Sequence, residues 1–143
     1  MGRRAEGRRV PSRRSSPSRS SGSSLDRRRR MDLILERDGA SCVWCARPFD
    51  ERLNTATTEH LVPRIKGGPS WIENEVAACR RCNSARGHRG LGEFADECEG
   101  LGREVDRERI VRCLNALSAA IAERGGQRRA RPYIATQLRR LDV

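Results

Sequence analysis

The sequence is poor in aromatic rings. Phe49, Phe94, Trp44, Trp71 and Tyr133 are the only ones in 143 residues, too few for the stacking platforms that hold single-stranded RNA. No run approaches the roughly 20 apolar residues of a membrane helix. No apolar stretch follows the first arginines, which excludes a secretory signal. Lysine is almost missing: 29 of the 30 basic residues are arginine and only Lys66 is lysine. GC-rich coding accounts for most of that ratio, although arginine is also the better bidentate partner for phosphate. The length suits one compact domain with tails rather than two full cores.

What the chain has is positive charge, a net +11, concentrated at its ends. Residues 1–30 hold 11 arginines against Glu6 and Asp26, and residues 121–143 hold six against Glu123 and Asp142. The stretch between them carries 13 basic and 15 acidic residues, so the centre is not basic. Such ends fit a polyanionic partner, because basic arms gain affinity by displacing counterions from phosphates. Residues 1–26 are rich in serine and arginine, with Val10 and Leu25 as the only large apolar residues after Met1. This composition predicts a disordered basic tail. A start at Met31, the only other methionine, is the alternative explanation of residues 1–30, and an organellar transit peptide shares their composition.

Helical spacing begins near Asp26, places Met31, Ile34 and Leu35 together, and stops at Gly39. Thr-rich 55–60 reads as a strand, 61–73 as a loop with Pro63, Gly67, Gly68 and Pro69, and 76–78 as a second short strand. Short helices are expected at 80–86 and 91–99. A strong one is expected at 105–123, where Ile110, Leu114, Leu117 and Ile121 recur, and Pro132 opens a last one. The acidic stretch 93–108 should lie away from a polyanion or against a basic arm. The expected organisation is a tail at 1–26, a module at 27–90 and a helical extension at 91–143.

Six cysteines without a secretory signal point to a reducing compartment. Four of them form two knuckles, Cys42-x-x-Cys45 and Cys79-x-x-Cys82. Two such pairs can complete a closed, structural four-thiolate zinc site, which a small module with a thin core needs as a staple. Disulfides or unrelated thiols are the alternatives. Cys98 and Cys113 fall on apolar helix faces and read as small buried residues.

Between and beyond the knuckles stand Glu59-His60, Asn74 and Asn83. Glu59 offers a hard oxygen ligand and His60 a general base. The loop Pro63-Arg64-Ile65-Lys66-Gly67-Gly68 adds two cations and a backbone flexible enough for phosphate approach. Taken with the knuckles, Glu59-His60-Leu61-Val62-Pro63-Arg64, Glu73-Asn74-Glu75-Val76 and Cys79-Arg-Arg-Cys82-Asn83 make 27–90 resemble the HNH endonucleases, in their zinc-knuckle group. Asn83 stands where the family name has its last His, and Glu59 stands where Asp is more frequent.

The resemblance implies an α+β chain built on a ββα-metal module. It implies His60 as the base that activates water and Asn74 as the brace that orients it. Glu59 and Asn83 would hold one Mg²⁺ or Mn²⁺ beside the structural Zn²⁺, the substrate would be double-stranded DNA, and the setting the cytoplasm of a bacterium or of a phage-infected cell. Arg64, Lys66 and Arg86 are the expected phosphate contacts, while His88 reads as a surface histidine. The rival reading is a zinc-stabilised module that binds nucleic acid without cutting it. In either case the basic ends raise local DNA concentration, and residues 1–30 are expected to be dispensable for the chemistry.

Overall fold

The computed structural model describes residues 23–141. Five helices and one two-stranded sheet follow in the order α1 (Ser23–Asp38), β1 (Ala56–His60), β2 (Glu75–Cys79), α2 (Arg80–Arg86), α3 (Leu91–Gly100), α4 (Arg107–Arg124) and α5 (Ala130–Leu141). The chain is therefore α+β. Most of the expected tail, 1–22, lies outside the described residues, but 23–26 open α1. Among the described residues no helix is long and apolar enough to cross a membrane.

β1 and β2 pair antiparallel, with His60 opposite Glu75 and Ala56 opposite Cys79. β2 is buried along its whole length, covered by α1 and α2, so its small residues Ala77 and Ala78 let helices approach closely. α2 follows β2 without a loop. The second knuckle thus passes straight from strand into helix and carries Asn83 one turn further.

The segment between the strands is not a loose loop. It contains two single-turn 3-10 helices, Arg64–Lys66 and Ile72–Asn74. Gly68 is wedged there: a Cβ on it would lie 1.8 Å from the Val62 carbonyl oxygen. Gly67 has φ +85°, and a Cβ on it would lie 2.7 Å from the Arg129 Cβ. The expectation that these glycines give flexibility for phosphate approach is corrected: they allow close internal packing.

α4 begins at Arg107, two residues after the sequence suggested, because Asp106 caps it by accepting from the Arg109 N–H at 3.0 Å. Ile110, Leu114, Leu117 and Ile121 are all buried, as their spacing predicts, and Cys98 and Cys113 are buried too. One apolar cluster joins Val43, Trp44, Leu61 and Val76 of the knuckle-and-sheet part to Phe94, Leu117, Ile134 and Leu141 of α3–α5. The C-terminal helices and the expected module share a core.

Candidate active site and metal centre

The two knuckles meet. The Sγ atoms of Cys42, Cys45, Cys79 and Cys82 all lie within 4.8 Å of one another, and Cys45 and Cys79 are 3.9 Å apart. A tetrahedron with metal–sulfur arms of about 2.3 Å has edges of roughly 3.8 Å, so the four residues are positioned to bind a metal ion. Burial pushes the Cys42 thiol up to about 11 and also raises Cys82. A bound cation reverses that cost by stabilising the thiolates. The first knuckle is anchored from both sides: the Val43 N–H donates to the Ala77 carbonyl, and the Val43 carbonyl accepts from the Asp106 N–H.

His60 ends β1, and Glu59 precedes it with its side chain on the opposite, buried face. His60, Glu59 and Asn83 line one cleft of about 230 Å³, together with Thr58, Pro63, Arg64, Gly87 and His88. The imidazole is about a quarter exposed, but its Nε2 is buried and has no hydrogen-bond partner. Glu75 Oε1, cross-strand from it, stands 3.7 Å away. Glu75 is itself buried and is gripped by Arg30 of α1, whose Nε donates to Oε2 at 3.2 Å. Burial lowers the His60 pKa; Glu75 opposes that, and Arg64, Arg30 and Arg86 reinforce it. The imidazole is thereby kept neutral near neutral pH, as a proton acceptor requires.

Asn83 turns its Nδ2 inward, donating to Thr57 Oγ1 and to the Thr58 carbonyl, each at 3.0 Å. Its Oδ1 has no partner among the described residues, which suits a cation ligand. Glu59 is 3% exposed. Its Oε2 accepts from Trp44 Nε1 at 2.9 Å and its Oε1 from Arg86 Nη1 at 2.8 Å. Both carboxylate oxygens are thus already held by internal donors, one of them the Arg86 cation. Burial raises the Glu59 pKa, and Arg86 and Trp44 counter it.

Asn74 is fully buried and holds the loop after His60. Its Oδ1 accepts from the Val62 N–H at 2.9 Å, its Nδ2 donates to the Val62 and Pro69 carbonyls, and its own carbonyl accepts from the Leu61 N–H. Arg64 and Lys66 stand exposed on the first 3-10 turn, and Arg64 donates to Ser70 Oγ. His88 is exposed at the cleft edge.

Arg86 is placed differently from expectation. It is 1% exposed, so it is not a surface contact for phosphate. Its guanidinium donates to Glu59, to the carbonyls of His60, Leu61 and Arg89, and to the Tyr133 hydroxyl of α5. Five N–H groups meet five acceptors. The clue in the sequence was spacing: Arg86 lies one turn after Asn83, so the helix face that turns Asn83 toward β1 turns Arg86 there as well. Trp44, read as a packing residue, does pack edge-on against Phe94, and it also ties the first knuckle to Glu59.

Five of the seven acids of 93–108 are paired locally. Arg107 takes Asp96 and Glu99, Arg89 takes Glu93 and Glu97, and Asp106 pairs with Arg109.

Residues 42–99 match the HNH endonuclease family. Over 55 residues the chain is 33% identical to the CRISPR-associated endonuclease Cas9 of Corynebacterium diphtheriae, a stretch that is 38% of this chain and 5% of that one. The chain thus spans only a small part of that relative. No solved structure matches it.

Proposed function

Starting from residues 42–99 as an HNH endonuclease segment, we propose that the protein hydrolyses phosphodiester bonds of double-stranded DNA in a ββα-metal site. The observation that carries this is the convergence of a neutral, partly exposed His60 with Glu59 and the free Oδ1 of Asn83 on one cleft. Asn83 and Glu59 would hold Mg²⁺ or Mn²⁺, Glu59 by exchanging one of its internal donors for the ion, and the bound ion would offset the charge gathering on the phosphate and the leaving oxygen. Glu75 beside Nε2 favours the His60 proton there, leaving the Nδ1 lone pair to take a proton from water. Asn74 fixes the segment just after His60 and so limits how far the imidazole swings. Arg64 and Lys66, exposed beside the cleft, receive the phosphate. The four-cysteine cluster holds Zn²⁺ and sets where α2 presents Asn83.

In a plasmid cleavage assay across a metal panel, His60→Ala is expected to lower turnover at least a hundredfold, with DNA binding and zinc content unchanged. Cleavage by this variant at the wild-type rate overturns the proposal. A wild-type chain that binds DNA but cuts with no metal leaves the binding-module reading instead.

The boundary of the dispensable arm moves. Asp26, Arg27 and Arg30 of α1 line a cleft with His60, Arg64 and Glu75. Removing residues 1–22 is expected to weaken binding and its salt dependence while turnover at saturating DNA stays the same. Removing 1–30 deletes the cation on Glu75 and should lower turnover as well. Equal turnover of the two truncated chains would contradict this.

A further inference from the structure

A second groove, of about 580 Å³, lies between the loop after the first knuckle and the start of α2. Arg47, Arg52, Arg80 and Arg81 line it and no carboxylate does. All four are exposed, and none pairs with an acid among the described residues. Arginines elsewhere contrast with them: Arg89, Arg107, Arg109 and Arg124 are each held by a carboxylate. Leu53, 86% exposed, shares the lining. Thr57 lies in it too, and Thr57 Oγ1 is the acceptor for Asn83 Nδ2. The groove therefore meets β1 at its Thr57 end, while His60 and Arg64 occupy the other end.

Four cations crowded on an open surface without internal partners repel one another, and a polyanion relieves that repulsion. We propose that this groove seats the phosphodiester backbone of DNA flanking the cleavage point, so that the strand is gripped at both ends of β1. The sugar edges of the strand would cover Leu53. The inference rests on the nuclease reading for its choice of DNA. A competing explanation exists for one member: Arg81 is next to Cys82 in the chain and Cys79 borders the groove, so Arg81 would also offset the negative charge of a metal–thiolate cluster. Arg52 and Arg80 are the cleaner probes.

The test is the binding of the full chain to a short DNA duplex at several salt concentrations, with no divalent ion added. Doubling the substitution, Arg52→Ala with Arg80→Ala, should reduce the slope of log affinity against log salt by about 2, near one unit for each lost phosphate contact. The Lys pair at the same positions should keep the slope, and metal content and melting should match the wild type in both variants. The same charge change outside both the groove and the basic ends, Arg103→Ala with Arg112→Ala, should leave the slope as it was. The proposal is overturned by an unchanged slope for the groove pair, by an equal loss from the Arg103 and Arg112 pair, or by loss of binding in step with loss of metal. Because nothing is cut in this assay, a chain that binds through the groove yet never cleaves would overturn the nuclease reading alone.

Discussion

Arg86→Ala should destabilise the protein by about 3–5 kcal/mol, the usual cost of removing one partner of a buried ion pair, and lower its melting temperature by roughly 10 °C. Glu59 would remain in a pocket that is 97% closed to water, with only the Trp44 N–H for company. The carbonyls of His60 and Leu61 would lose their side-chain donor as well. The effect should extend to cleavage, since Arg86 ties together the residues on both sides of the His60 side chain. Arg86→Lys should recover only part of the loss, because an ammonium has three donors and no planar fork. Combining Arg86→Ala with Glu59→Gln should cost clearly less than the two single changes added, because the stranded charge is gone. Calorimetric or circular-dichroism melting checks all three, and a melting point for Arg86→Ala within 2 °C of wild type would rule out the internal role.

Stripping the metal should be more severe. Structural zinc contributes about 10–16 kcal/mol in isolated finger peptides, comparable with or above the whole stability of a small domain, about 5–15 kcal/mol. The four sulfurs here join a turn after α1 to the junction of β2 and α2, segments that otherwise meet through the Val43–Ala77 backbone hydrogen bond and the apolar cluster they share. Without the ion, burial that raises Cys42 and Cys82 favours neutral thiols, which do not bridge the knuckles. A strong chelator, or Cys82→Ser, is expected to abolish cooperative melting and release one zinc per chain. If the metal leaves while melting and far-UV signal persist, the cluster does not staple the fold.

These two groups of residues mark the limits of the sequence as a guide. The knuckles, the strand pair, the helix after Cys79 and the apolar stripe of α4 rest on short spacings, and local spacing survives folding. Asn74 was legible through the family resemblance alone, as the brace of the loop that precedes the second strand. Arg86 was not. In an isolated helix of seven residues, an arginine after Ala85 looks solvated, and only the arrival of Glu59, 27 positions earlier, and Tyr133, 47 positions later, makes its burial favourable. Arg30 follows the same rule: its partner Glu75 is 45 residues away, so it read as one more of the basic residues in 1–30 that the chemistry could do without. The glycines of the loop were misread because a close backbone approach leaves no periodic trace. Spacing reports neighbours along the chain, and buried charge is settled by neighbours across it.

The shared core has a consequence for recombination and for chimera building. The family match ends at residue 99, yet Tyr133 closes the shell around Arg86, Arg129 donates to the Ile65 carbonyl, and Gln137 accepts from the Gly92 N–H. A cassette cut at 99 and moved into another host would carry α3 without the α5 helix that packs against it. The unit that can be transplanted is therefore larger than the unit that similarity outlines, and it runs to Leu141.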